Sequence, residues 1–378
     1  MKTVLVNALN LNLGGGRSIR DCYLKLLDND RLSERYIVLV AKGTKPCFSR
    51  NPMIEFVELP GLYSRTIMAP FVYRFALGRL VAKYGAEVVL NFCDVIMHIS
   101  AKQIYLLDFP YVLDVHPKVW VGMALWDRIR IRAKIVLHEW YFRKPDVVVA
   151  QTDLSRETLI RKFRLKDVRI IGNAATLDAV SDVEMFDFGL PEKVRLICPS
   201  TYHPHKNLNI LLDVGQAIKC NGLNYCVVTT VDPTGSGGRR FVESIRERGL
   251  EGVIANVGQV PLPRMKSLYE QCDGVLMPTL LESFSIVYVE AMHHRLPILT
   301  SDLWFARAVC GDAAKYFNPV DANDILRSIE EVFSDEAQKR TLIDAGIRRL
   351  KSLPTWPEIY DAYKKIVCEL LYGRNGGD

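Results

Sequence analysis

Glu282-Ser-Phe-Ser-Ile-Val-Tyr-Val-Glu290 sets two carboxylates, with seven residues between them, around the start of a helix. That arrangement suits a sugar nucleotide. Gly274 to Pro278 reads as a short buried strand ending at a loop, Ile286 to His294 as the helix, and Pro297 to Thr300 as the next strand. Both carboxylates then lie near strand ends, where open α/β sheets bind ligands. A helix starting near Phe284 leaves the amides of Phe284, Ser285 and Ile286 turned toward the crevice, where they can hold phosphate. Two glutamates on an amphipathic helix are ordinarily just solvated positions. Here Glu290 lies beside Tyr288, Val289 and Met292, which read as core, and a carboxylate among apolar neighbours needs a partner.

Three further sets of residues could join this chemistry. Lys206, in His203-Pro-His-Lys206-Asn-Leu, stands where a strand end and a polar loop give way to a helix. An ammonium there can neutralise a diphosphate and stabilise a departing nucleotide, although a lone lysine is more often merely solvated. Gly14-Gly15-Gly16-Arg17 follows the first strand and leads into a helix, so it admits a phosphate or sugar closely. It lacks the spacing of a dinucleotide fingerprint, and a plain tight turn explains it about as well. His116, in Leu113-Asp-Val-His116-Pro, lies where the chain leaves the first group of strands, among apolar neighbours. The other histidines offer only the local pairs His203/His205 and His293/His294 without obvious carboxylate partners, so no bound metal is expected.

The elements that must position these residues alternate in type along the chain. Strand-like runs are Thr3 to Asn7, Tyr36 to Ala41, Phe56 to Leu59, Val88 to Asn91, Ile104 to Leu107, Val147 to Ala150 and Val168 to Ile171, with helical segments between them. The periodicity lapses around residues 174 to 193, where an acidic stretch with Asp182, Glu184 and Asp187 reads as a linker. A second series follows: Val194 to Pro199, Tyr225 to Val231, Val253 to Val257, Gly274 to Met277, Ile298 to Thr300 and Lys315 to Phe317. The expectation is an α/β chain with two doubly wound, Rossmann-like domains, residues 1–176 and 190–352, facing a central cleft. A last helix at 356–372 is expected to pack back on the first domain.

Length and composition agree with this division. The chain has 378 residues, 49% apolar and 24% charged, which is too much for one ordinary core. No run of eighteen apolar residues occurs, and MKTVLVNALN enters a strand pattern directly, so a cytoplasmic protein is expected. Nine scattered cysteines without a Cys-x-x-Cys pair argue against a metal cluster or a disulfide framework. Residues 1–176 carry 27 Lys and Arg against 16 Asp and Glu, while residues 177–378 carry 22 against 27. The basic half should meet something anionic. Its stretches Leu62 to Tyr84 (with Met68, Phe71, Tyr73, Arg74, Phe75, Arg79 and Lys83) and Trp120 to Lys144 (with Trp126, Arg128, Arg130, Arg132 and Lys134) mix apolar and cationic residues. Such faces can lie on anionic lipid, though a core helix with a basic outer side is nearly as good an account. No nucleic-acid recognition module is present.

Taken together, Glu282 to Glu290, His205-Lys206-Asn207, and the string from Leu296-Pro-Ile-Leu-Thr-Ser to Cys310-Gly-Asp-Ala-Ala-Lys-Tyr-Phe-Asn-Pro319 resemble the retaining glycosyltransferases of family 4, which have the GT-B fold. The resemblance is strongest from about residue 194 to 334 and looser before it, where the early glycines and His116 carry it. It implies that Glu282 contacts the donor sugar and stabilises its positive charge, that Glu290 binds the ribose, and that Lys206 holds the diphosphate. It further implies approach of Gly15 and Gly16 to that diphosphate, a hydrogen bond from His116 to the sugar, residues near Val260 against the base, and a cradle of amides at Ser283, Phe284, Ser285 and Ile286. Two positions depart from the family. Thr201 stands where an arginine is common, so either the leaving group is less well neutralised or Arg17 or another cation replaces it, and Ser285 stands where a glycine is usual.

The resemblance implies a metal-independent hexosyltransferase without a cofactor. Its donor would be a GDP- or UDP-hexose and its acceptor lipid-linked or a glycan, in O-antigen, lipopolysaccharide or capsule assembly on the inner face of the plasma membrane. The rivals are a phosphorylase or epimerase of the same fold and a noncatalytic sugar-nucleotide-binding or membrane scaffold.

Overall fold

A computed structural model describes residues 1–11, 14–46, 50–64, 72–93, 95–175 and 185–373. Met68, Phe71, Asp182 and Glu184 lie outside the described residues, as do the side chains of Leu62, Tyr73 and Arg74. The chain divides into two units, Met1–Asp114 with Ala124–Ala174 and Pro354–Asp378, and Val115–Met123 with Ala175–Leu353.

In the first unit, β1 (Thr3–Asn7), α1 (Gly14–Asn29), β2 (Arg35–Ala41), β3 (Ile54–Leu59), α2 (Gly78–Lys83), β4 (Val88–Asn91) and β5 (Lys102–Leu106) run in chain order. The one-turn helix α3 (Lys118–Val121) falls in the excursion that groups with the second unit. The first unit then resumes with α4 (Leu125–Tyr141), β6 (Val147–Ala150), α5 (Asp153–Phe163) and β7 (Val168–Ile170). Among the described residues its sheet is parallel throughout, in the order β3-β2-β1-β4-β5-β6-β7. Strands such as Val147–Ala150 are buried along their whole length, the continuous apolar pattern expected where helices cover both faces. The order reverses between β1 and β4, and there Asn7 Nδ2 donates to Asn91 Oδ1 at 2.9 Å. Asn91 Nδ2 and Gln103 extend this buried amide network into the loop after β4, fixing Val95 and Met97.

In the second unit, β8 (Val194–Cys198), α6 (Ile210–Cys220), β9 (Tyr225–Thr229), α7 (Ser236–Glu247), β10 (Ile254–Asn256), α8 (Leu262–Glu270), β11 (Gly274–Met277), α9 (Ile286–His293), β12 (Ile298–Ser301), α10 (Trp304–Cys310) and β13 (Ala314–Phe317) alternate strictly. Helices α11 (Ala322–Ser334) and α12 (Glu336–Ser352) follow, each started by an aspartate whose side chain accepts two first-turn amides, Asp321 and Asp335. The parallel sheet runs β10-β9-β8-β11-β12-β13, reversing between β8 and β11. The expected linker is only partly a linker. Phe186 N donates to Ser267 Oγ at 3.2 Å, Phe188 N to Gln271 Oε1 at 3.1 Å, and the Arg264 guanidinium stands 4.4 Å over the Phe186 ring, so this stretch docks on α8.

Helix α13 (Trp356–Tyr372) opens on the capping box of Thr355 and Glu358 and belongs to the first unit. Tyr360 and Tyr363 join Tyr23 and Phe92 in an aromatic cluster with ring centroids 5.1 to 5.9 Å apart. Tyr360 OH donates to Asp30, Tyr372 OH to Glu34, and Arg169 pairs with Glu369.

Candidate functional site

The carboxyl edge of the second sheet gathers the charged residues. After β8 the chain runs through Ser200, whose amide is fixed by Thr230 Oγ1 at 2.9 Å, into a single tight turn over Pro204–Lys206. Asn207 ends that turn at φ +56°, a conformation asparagine tolerates, and its Nδ2 donates to Pro278 O at 3.1 Å and Pro319 O at 2.7 Å. One amide thus ties the loops after β8, β11 and β13 together.

Lys206 Nζ reaches Glu282 Oε1 at 2.6 Å, and Thr279 Oγ1 donates to the same oxygen at 2.9 Å. Glu282 is only 8% exposed, so its charge is held by these two partners rather than by water. Thr279 Oγ1 also lies 3.2 Å from His205 O, while the Leu280 amide donates to His205 O at 2.7 Å. The pair therefore sits on a cross-braced pair of loops at the reversal of strand order, the ligand crevice of such sheets. Burial pushes the Cys198 thiol, at the end of β8, up to about 12, so it stays protonated despite the nearby Lys206 ammonium. Burial, then the charges of Lys206 and His203, hold His205 well below its ordinary value.

Glu290 has the partner that its setting demands. Tyr269 OH, on α8, donates to Glu290 Oε2 at 2.7 Å. Burial, and next the Glu290 charge, keep the Tyr269 phenol well above its ordinary value, so it remains a donor across the physiological range. The His294 ring stacks on Tyr269 at 5.1 Å. Sequence reasoning missed Tyr269 and Thr279, and it quoted Asn207 without giving it a role.

Helix α9 begins at Ile286, as the Ile286 to His294 reading expects, so its amides open there and not near Phe284, which is buried in the core. The first-turn amides are therefore those of Ile286 and Val287, Tyr288 N already donating to Ser285 O at 3.3 Å. Ser285 sits just before the helix at φ +68°, backbone that glycine occupies without cost. Ser283 is half-buried between Glu282 and Phe284, Thr201 is exposed, and Val260 lies beyond β10, partly packed on the core. Gly237 presses on the Tyr202 ring, where a Cβ would meet Cδ1 at 2.4 Å.

Two placements correct the sequence reading. His116 does not go with the first unit: Val115–Met123 groups with the second, and α3 packs against the turn that carries Lys206. The His116 Nδ1 accepts the Lys118 amide at 3.2 Å, and burial, then the Lys118 charge, lower its pKa. Gly14, Gly15 and Gly16 are not a loop but the opening turn of α1, and a Cβ on Gly16 would lie 3.0 Å from Leu11 Cδ2. Gly15 is exposed. No group of three or more His, Cys, Asp or Glu among the described residues could hold a metal ion.

Residues 181–349 match the family model of glycosyl transferases group 1. The chain is 25% identical over 267 residues to the O-antigen chain mannosyltransferase B of Escherichia coli, covering 66% of this chain and 66%, just under two thirds, of that relative. It is 20% identical over 334 residues to the MMP alpha-(1->4)-mannosyltransferase of Mycolicibacterium hassiacum, covering 81% of this chain and 76% of the other. Among solved structures, sucrose-phosphate synthase of Thermosynechococcus elongatus superposes with a TM-score of 0.75 at 16% identity, over 98% of this chain and 99% of that one. Residues 181–349 are thus similar to group 1 glycosyl transferases, in a chain with the two parallel-sheet domains of the GT-B fold.

Proposed function

We propose that the protein is a sugar-nucleotide-dependent glycosyltransferase that retains configuration at the anomeric carbon. The observation that carries this reading is the Lys206–Glu282 pair at the strand-order reversal, with Glu290 held nearby in sequence on the helix that follows. Lys206 and the amides of Ile286 and Val287 take the diphosphate, supplying the positive charge that a divalent ion would otherwise provide. Glu282, released from the ammonium when phosphate replaces it, stabilises the positive charge that develops on the sugar. Glu290 accepts the ribose hydroxyls while Tyr269 fixes its rotamer. The departing phosphate takes the proton of the incoming hydroxyl, so the protein supplies chiefly position and charge.

The relatives' names favour mannose as the transferred hexose and, for one of them, an O-antigen chain as the product. The donor in this reading is a GDP- or UDP-hexose and the acceptor a lipid-linked or glycan one at the inner membrane face. The assay is release of nucleoside diphosphate from GDP-mannose and UDP-hexoses, with and without acceptor, in wild type and Glu282→Ala. Acceptor-dependent release lost in the variant is the expected result; near-normal turnover in the variant overturns the assignment. A noncatalytic sugar-nucleotide-binding protein is the second reading, favoured by the exposed Thr201 in place of a cation, and nucleotide binding without turnover on any acceptor would establish it.

A further inference from the structure

We propose that helix α4 is an interfacial membrane anchor that lays its outer face on an anionic phospholipid bilayer. This deepens the reading of a membrane-borne acceptor and rests on it only for its purpose, not for its physics. Trp126 and Trp140 are 80% and 73% exposed, and Leu125, Ile129 and Val136 of the same helix are exposed too. At helical spacing these five residues and Ala133 fall within an arc of about 100°. The opposite side is anchored at His138, which is buried, with its Nε2 3.0 Å from Tyr105 OH and its ring stacked on Phe109 at 4.9 Å. Lys134 Nζ stands 4.0 Å over the same Phe109 ring. The helix is therefore positioned by its inner face while a band of large apolar side chains faces water, which soluble helices avoid.

Charge identifies the occupant. Arg130 and Arg132 are exposed on either flank of the band, and Arg143 and Lys144 are exposed just past its end. From Leu125 to Lys144 there are six Lys and Arg against two acids, Asp127 and Glu139, and Asp127 is paired with Arg130 at 3.1 Å. Tryptophans between an apolar arc and cationic flanks match the boundary between acyl chains and anionic headgroups. The helix has 17 residues, about 25 Å, long enough to lie in that plane. No helix among the described residues is long and apolar enough to cross a membrane.

The test is sedimentation of the full chain with vesicles of phosphatidylcholine, alone or mixed with phosphatidylglycerol, at low and high salt. Wild type should bind the mixed vesicles, weaken with salt, and bind the neutral vesicles poorly. Trp126→Ser/Trp140→Ser should lose roughly tenfold in partitioning, as should Arg130→Glu/Arg132→Glu. Both variants should keep the wild-type melting temperature and its rise with nucleotide, which separates loss of the anchor from misfolding or a damaged donor site. Wild type failing to bind anionic vesicles, or the tryptophan variant binding as wild type does, overturns the proposal. So does a wild-type dimer that dissociates in the tryptophan variant, because a second copy then covers the band. Vesicle binding without nucleotide binding would instead sink the enzyme assignment and leave the anchor standing.

Discussion

Lys206 and Glu282, 76 positions apart in the chain, share one short contact of 2.6 Å whose carboxylate oxygen is also bonded by Thr279. Each ion is the other's main compensation in a poorly solvated place, so neither can be removed without consequence. Glu282→Ala should lower turnover roughly 10²–10³-fold by removing charge stabilisation. It should also cost about 1–3 kcal/mol by leaving the Lys206 ammonium short of a partner. Urea unfolding of the variant, run beside the turnover assay, separates the two effects.

Tyr269→Phe deletes one hydroxyl and keeps the ring that stacks on His294. Glu290 then loses the donor that fixes its carboxylate, and nucleoside diphosphate affinity should fall about tenfold, or about 1.4 kcal/mol. Isothermal titration with UDP and GDP measures it. Because the ribose is remote from the reacting carbon, kcat should change far less than KM, and an unchanged Kd would remove Glu290 from the ribose site.

The second unit should weaken in mild acid. His205 has a folded pKa well below its ordinary 6.5, so the unfolded chain takes up the proton first. Its contribution is complete above about pH 6.5 and is lost as pH falls from there toward the depressed folded value. Urea midpoints measured from pH 7.5 to 5 should decline, and His205→Gln should flatten that decline.

Ser285 occupies positive-φ backbone ahead of α9. Ser285→Gly should leave the melting temperature unchanged or raise it, whereas Ser285→Val should destabilise by about 1–2 kcal/mol. Equal effects of the two substitutions would show that backbone strain at this position does not matter.

Much of the architecture was legible because strands buried on both faces are written as unbroken apolar runs, as in Val147-Val-Val-Ala150 and Gly274-Val-Leu-Met277. The ends were less legible. The start of helix α9 at Ile286 could be read, but that Phe284 just before it is drawn into the core, which removes its amide from the expected cradle, is announced by no local pattern. The need of Glu290 for a partner could be read from its apolar neighbours, but Tyr269, 21 residues earlier, looks like any other core tyrosine of an amphipathic helix. His116 was assigned by its place in the chain, and contacts of the short α3 with the Lys206 turn outweigh that order. Phe186 and Phe188 read as linker because the side chains their amides bond, Ser267 and Gln271, lie some 80 positions away.

Helix α13 closes the aromatic cluster of Tyr23 and Phe92, which lies on segments made near the beginning of the chain. During synthesis the second unit's strands and helices are therefore all available before the first unit can be finished. The face of Tyr23 and Phe92 that α13 covers must wait for it through nearly the whole of translation. A nascent chain stalled before Trp356 would hold one unit able to close its core and another with the Tyr23 and Phe92 face still lacking its cover.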